Sequence, residues 1–214
     1  MAGRSYDQYC GLAHALDLVG ERWALLVVRD LLTGPKRFTD LRNGLGRVPT
    51  NVLSTRLKEL EEAGVVERRV LPRPSGAVVY ELTEYGRGLE DAVLSLVRWG
   101  TKSLGERGPD DVIPSASFAL GLRGIFHPDA ARGVTVTYEL RFGGAVVHLR
   151  VDDGALESTP GPADEPDLTI ASDTALPALL RGDVSPAEAE RTGAVRLTGD
   201  TRLFAPFTAM FHLD

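Results

Sequence analysis

The chain has 214 residues, 43% of them hydrophobic and 25% charged. That balance can bury a core and excludes a disordered, collagen-like or disulfide-built protein. The net charge of −6 divides unevenly: residues 1–105 hold 15 Lys and Arg against 13 Asp and Glu, a net of +2, whereas residues 106–214 hold 9 against 17, a net of −8. The single cysteine has no internal partner for a disulfide. No charged segment with an apolar run opens the chain, and no apolar run reaches the ~20 residues of a membrane helix. The expectation is a cytoplasmic protein with no membrane partner.

Leu12, Leu16 and Val19 recur at helical spacing, as do Trp23, Leu26, Val27 and Leu31, with Gly20 and Gly34-Pro35 as breaks. A short helix is predicted from about Arg37 to Arg42, then a turn over Asn43-Gly44-Leu45-Gly46. The next helix is predicted over about 49–63, with Leu53, Leu57 and Leu60 inward and Gly64 placed to end it. Short helices joined by glycine-bearing turns suggest a helix-turn-helix. Val65 to Val70 and Ala77 to Leu82 read as a β-hairpin, because both are rich in β-branched residues and flank Leu71-Pro-Arg-Pro-Ser-Gly76. Thr83 then caps a last helix whose stripe of Tyr85, Leu89, Ala92, Leu96 and Trp99, widened by Val93 and Val97, faces more than one neighbour.

Gly105 to Ser115 reads as a linker. Beyond it Val134, Val136, Tyr138, Leu140 and Phe142 alternate with polar residues, as do Val147, Leu149 and Val151, so Gly143-Gly144 joins two antiparallel strands. Leu168 and Ile170, then Val195 and Leu197, mark two more strands. Helices are expected at Thr174–Leu180, Pro186–Arg191 and Thr201–Phe211. The fold class is α+β.

Between Lys36 and Lys58 lie six basic residues (Lys36, Arg37, Arg42, Arg47, Arg56 and Lys58) and one acid, Asp40. On a wheel at about 100° per residue, the 49–63 helix turns Asn51, Thr55 and Lys58 outward, with Ser54 at the edge. Short hydrogen-bonding side chains on the first turns suit a helix entering the DNA major groove, where Asn can pair with adenine and Ser or Thr with several base edges. Arg37, Arg42, Arg47 and Lys58 would then hold phosphates, and Arg73 at the hairpin tip would reach flanking DNA. The plainer alternative is a solvated helix face with scattered charge.

The run from Gly20 to Leu41, the run from Val48 to Val66 and Tyr80-Glu-Leu-Thr-Glu-Tyr-Gly86 resemble the HxlR branch of the MarR-like winged-helix regulators, over about residues 9 to 100. The resemblance implies a winged helix-turn-helix domain, assigned to residues 1–105. It would act as a homodimeric transcription factor on double-stranded operator DNA, with the 49–63 helix in the major groove and a wing at about 70–77. It also adds Thr50 to the DNA-contacting residues and places dimer contacts on the first and last helices, at Leu12, Leu16, Leu89, Leu96 and Trp99. Pro49 stands where the family usually has a serine-like cap, which leaves the helix start open by one residue.

In the second half, Pro166-Asp-Leu-Thr-Ile-Ala-Ser-Asp173, Leu179-Leu-Arg-Gly-Asp183 and the run from Pro186 to Asp200 resemble the C-terminal part of a sterol carrier protein domain. The resemblance implies an α/β sterol-carrier-like domain over 115–214, a curved sheet with helices on one face, able to take a small apolar effector or to extend the dimer. Phe118, Ile125, Phe126, Tyr138, Phe204, Phe207 and Met210 would lie near its pocket; the alternative is that they form the core. A lipid or small-molecule carrier with a helical dimerisation module is the rival reading of the whole chain.

Cys10 lies on the first helix, where some relatives of the family sense oxidants. A redox role there needs a stabilised thiolate and a partner sulfur; the alternative is a small buried hydrophobe. Cys10 and His14 alone do not make a metal site. There is no nucleophile elbow, phosphate loop, His-Glu-x-x-His or dinucleotide fingerprint, so neither an enzyme nor a cofactor is expected.

Overall fold

The computed structural model describes residues 5–105, 108 and 111–213; Glu106, Arg107, Pro109 and Asp110 of the expected linker lie outside the described residues. The chain divides into two compact units, Met1–Val93 and Leu94–Asp214.

The first unit runs α1 (Gly11–Val19), α2 (Ala24–Leu31), α3 (Phe38–Gly44), α4 (Thr50–Glu62), β1 (Val66–Val70), β2 (Val78–Leu82), α5 (Glu84–Arg87) and the start of α6 (Glu90–Thr101). Its core gathers one stripe from each element, including Val27 and Leu31 of α2, Leu41 of α3, Leu53, Leu57 and Leu60 of α4, and Val79 and Leu82 of β2. Each such side chain contributes about 1.5–3 kcal/mol on burial.

The stripe of α2 is turned from the expected one. Trp23 stands ahead of the helix with φ +80°, so the buried set is Ala24, Val27, Val28 and Leu31, and Leu26 faces out. In α1 the buried residues are Ala13 and Val19, whereas Leu12 and Leu16 are exposed. The third helix extends through Gly44, so the following turn is shorter than expected.

The hairpin β1–β2 is antiparallel, with Val66 opposite Leu82 and Val70 opposite Val78. A third backbone segment joins it at one point. Lys36 N–H donates to the Tyr80 carbonyl at 3.0 Å and Tyr80 N–H to the Lys36 carbonyl at 2.8 Å, which fastens the start of α3 to the wing.

The single helix expected after Thr83 is two, α5 and α6, parted at Gly88-Leu89. Thr83 Oγ1 accepts the Gly86 N–H at 3.0 Å and donates to the Gly64 carbonyl at 2.6 Å, so the cap also ties α5 to the end of α4. Gly86 has no room for a side chain, because a Cβ would strike the Val65 carbonyl.

The division between units falls inside α6, ahead of the Gly105–Ser115 segment expected to carry it. The second half of α6 packs on α7 (Ser115–Gly124): Arg98 donates to the Gly124 carbonyl at 3.2 Å, and a Cβ on Gly124 would sit 3.6 Å from Val97 Cγ1.

After α7, the second unit is built on β3 (Thr135–Phe142), β4 (Ala145–Asp152), β5 (Ala155–Pro160), β6 (Leu168–Ser172) and β7 (Arg196–Gly199). The strand order is β5-β4-β3-β6-β7, with β3 and β6 parallel and the other pairs antiparallel. Helices α8 (Leu176–Leu180), α9 (Pro186–Arg191) and α10 (Phe204–Met210) supply the rest. The inward residues Val136, Tyr138, Leu140 and Phe142 alternate as expected and join Val147, Leu149, Val151 and the apolar residues of α7, α8 and α10 in one core. The last predicted helix is a 3-10 turn, Thr201–Leu203, followed by α10.

Candidate functional site

Three inward leucines, Leu53, Leu57 and Leu60, fix the rotation of α4, leaving Thr50, Asn51, Ser54, Thr55 and Lys58 exposed together on its opposite face. Pro49 takes the position before the helix (φ −63°, ψ 140°) rather than its first turn, and its carbonyl accepts from Leu53 N–H at 3.0 Å. No side chain caps α4, so its first N–H groups stay open and the partial positive charge there is uncovered. Proline in place of a hydroxyl cap offers these amides no side-chain acceptor. Ser54 Oγ donates to the Thr50 carbonyl at 2.9 Å. Its hydroxyl therefore presents lone pairs outward and can accept but not give.

The basic run separates into two groups. Arg56 is structural: only 12% of its side chain is exposed, it is bonded to Glu59, and it lies 3.5 Å from Glu21 in the bend between α1 and α2. Lys58 is exposed, 3.5 Å from Glu62, one helical turn on. Arg37, Arg42, Arg47 and Arg73 are exposed, and among the described residues none of them makes an ion pair. Arg42 lies in the last turn of α3 and Arg47 just beyond Gly46, so they flank the connection into α4. Asp40, the one acid of the run, accepts the Arg37 N–H at 3.1 Å and is spent on starting α3.

On the wing, Arg69 is held by Glu81 through two contacts of 2.7 and 2.9 Å. Arg68 beside it is exposed and without an ion pair among the described residues. The sequence reading missed Arg68, because only the β register tells which of the two adjacent arginines pairs across the hairpin.

Helix α2 carries a buried carboxylate. Asp30 is 1% exposed; burial raises its pKa, and the opposing pull of Arg29, at 2.7 Å, and of Lys36 does not offset that.

Leu12 and Leu16 on α1 and Leu96 and Trp99 on α6 are exposed, Trp99 by 74%, and Leu89 is half-buried. Cys10 is exposed immediately before α1, and the N–H groups of Ala13 and Leu12 hold its thiol below the usual value. Among the described residues no group of three or more His, Cys, Asp or Glu could hold a metal, and no helix is long and apolar enough to cross a membrane.

In the second unit the seven aromatic and apolar residues expected near a pocket separate. Tyr138, Phe204, Phe207 and Met210 are core: Tyr138 and Phe207 pack edge to face at 5.3 Å, and the Tyr138 hydroxyl donates to the Leu203 carbonyl at 3.0 Å. Phe118 and Ile125 line an apolar cavity of about 140 Å³. Ile125 and Phe126 also line a separate recess of about 460 Å³ that carries Arg98, Lys102 and the stacked rings of His127 and His212.

Residues 18–107 match the family described as HxlR-like helix-turn-helix. The uncharacterized HTH-type transcriptional regulator YvaP of Bacillus subtilis (strain 168) is 39% identical over 88 residues, which cover 41% of this chain and 82% of that protein. The HTH-type transcriptional regulator YodB of the same organism is 39% identical over 85 residues, covering 40% and 76%. The solved structure of reduced YodB shares 34% identity over 46% of this chain and 100% of its own, with a TM-score of 0.41. That of the redox regulator HypR in its oxidized form shares 34% over 44% and 97%, also at 0.41.

Proposed function

The chain belongs to the HxlR family of helix-turn-helix transcriptional regulators, and from that premise we propose that it binds double-stranded operator DNA as a homodimer, with α4 in the major groove and the β1–β2 wing on the flanking duplex. The observation that carries this reading is the exposed face of α4. Thr50, Asn51, Ser54 and Thr55 offer short polar groups for base edges, while Arg37, Arg42 and Arg47, on α3 and the connection into α4, are exposed and make no ion pair among the described residues. Arg68 and Arg73 extend the phosphate-binding surface along the wing. The proposed dimer contacts are the exposed leucines of α1 and, separately, Leu96 and Trp99 of α6. The second unit is proposed to be sterol-carrier-like, a five-stranded sheet with an apolar core on one face, and to receive a small apolar effector. An effector controls such a protein only if it binds the DNA-competent and incompetent arrangements unequally.

Selection of DNA sequences by the purified full chain tests the reading. The expected result is a pseudo-palindromic site whose affinity falls steeply with salt; recovery of no preferred sequence, with no salt-dependent binding, would rule it out.

One observation favours an added redox sensitivity. Cys10 is exposed and its thiol pKa is lowered by the N–H groups opening α1, which raises the thiolate fraction near neutral pH. Alkylation of Cys10 by iodoacetamide should then show its pH midpoint below that of a free thiol, and an oxidant should produce a covalent dimer on a non-reducing gel that Cys10→Ser abolishes. A midpoint at the free-thiol value and no such dimer exclude it.

A further inference from the structure

We propose that the small cavity beside α7 is a binding site for a compact, neutral aromatic molecule of about one ring, and that Gly121 keeps it open. Its volume is about 140 Å³, on the scale of the ~150 Å³ apolar cavities that hold a single benzene ring. A sterol or a long acyl chain is several times larger. The walls are aliphatic and aromatic, chiefly Leu122, Ile125, Leu176 and Leu180, with Phe118 and Phe142 tilted at 48° and 5.8 Å apart, a pair that a third ring can extend. The charged group among the described lining residues is Arg181, and its guanidinium is taken by Asp183 at 2.8 Å. The rest of the lining is apolar apart from Thr101, whose hydroxyl donates to the Val97 carbonyl at 2.8 Å, which suits a neutral ligand.

The independent observation is Gly121. It sits within α7, where glycine is the poorest choice after proline, and its φ is not in the left-handed region. A Cβ there would meet nothing within 4 Å. Neither backbone conformation nor crowding calls for a glycine, and any side chain there would take up space in the cavity it lines. Thr101 at the end of α6 and Leu104 just past it also line the cavity. A bound ring therefore touches the C-terminal end of α6, and any effect on DNA rests on the regulator reading above.

The test uses the full chain without DNA, with toluene and palmitate as probes, read by thermal melting and titration calorimetry. Toluene is expected to bind at one per chain and raise Tm by several degrees, and palmitate to do neither. Gly121→Leu, which fills the cavity, should lose the toluene response while melting at or above the wild type; if that variant does not fold, Gly121→Ala should fold and bind toluene several-fold more weakly. The inference is overturned if toluene leaves the wild type unchanged, if the response survives in the variant that folds, or if palmitate binds as well as toluene. Because no DNA is present, failure of operator binding would overturn the regulator reading and leave this one standing.

Discussion

Asn51 and Arg42 differ in what their loss should do. Asn51 sits in the first turn of α4 with its amide exposed, and a bidentate contact to a base is specific to one sequence. Asn51→Ala should weaken operator binding by about 1–3 kcal/mol and relax preference at one position. Arg42, lying in the last turn of α3, would hold a phosphate, so Arg42→Ala should weaken binding to all sequences alike and reduce the salt slope by about one. Gel shifts over a salt series separate the two, and equal effects on specific and random DNA for Asn51→Ala would remove it from base reading. Asp30 makes a different prediction. Burial raises its pKa despite Arg29, so in the pH window above the ordinary Asp value of about 3.9 the folded chain holds a proton that the unfolded chain has lost. Stability from this group is greatest at acid pH and falls as pH rises through that window. Asp30→Asn does not titrate, so the wild type should gain stability relative to it as pH is lowered from neutral toward 4, measured by urea unfolding; a difference independent of pH contradicts the assignment. A buried ion pair whose desolvation exceeds its attraction behaves in this way.

Among the elements, α6 carries the clearest prediction. Its apolar stripe was legible from spacing, yet Val93 is the only one of its residues that is fully buried, and Leu96 is 50% exposed. An exposed leucine contributes little to the fold of one chain, so Leu96→Asp should leave the secondary-structure content of the folded chain nearly unchanged while shifting the protein from dimer to monomer in sedimentation. A monomeric wild type at micromolar concentration would contradict the proposed interface. Other elements show where local pattern was enough and where it was not. Helix α4 followed directly from Leu53, Leu57, Leu60 and Gly64, whose φ of +68° ends the helix in the conformation glycine adopts without strain. Strand β5 was missed because Ala155–Pro160 has almost no β-branched residues; the Asp153-Gly154 turn before it, both residues at positive φ, was the available signal. The split of the expected helix at Gly88 was hidden for another reason. No break in the apolar spacing marks it, and the nearby close approach of the Val65 carbonyl to Gly86, which leaves no room for a side chain, joins residues far apart in the chain.

At the scale of the whole molecule, the net charge of −6 conceals a first half at +2 and a second at −8. The excess of positive charge in the first half lies in the run from Lys36 to Lys58, and the acidic half would repel phosphates. The sequence by itself determined that there are two units of different chemistry, that the first is a helix-turn-helix with a wing, that the second is a sheet with helices, and which face of α4 is polar. These follow from local periodicity, turn residues and charge counts, which act over a few residues and survive without coordinates. Only the tertiary structure decided which cations are available and where a cavity lies. Arg56 is committed to Glu59 and Glu21, and Arg69 to Glu81, whereas Arg42, Arg47, Arg68 and Arg73 have no ion pair among the described residues. Tyr138, Phe204, Phe207 and Met210 became core, while Phe118 and Ile125 came to line a cavity. Ion pairing and empty space both depend on groups distant in sequence meeting at a few ångströms, and that is set by packing rather than by any pattern along the chain.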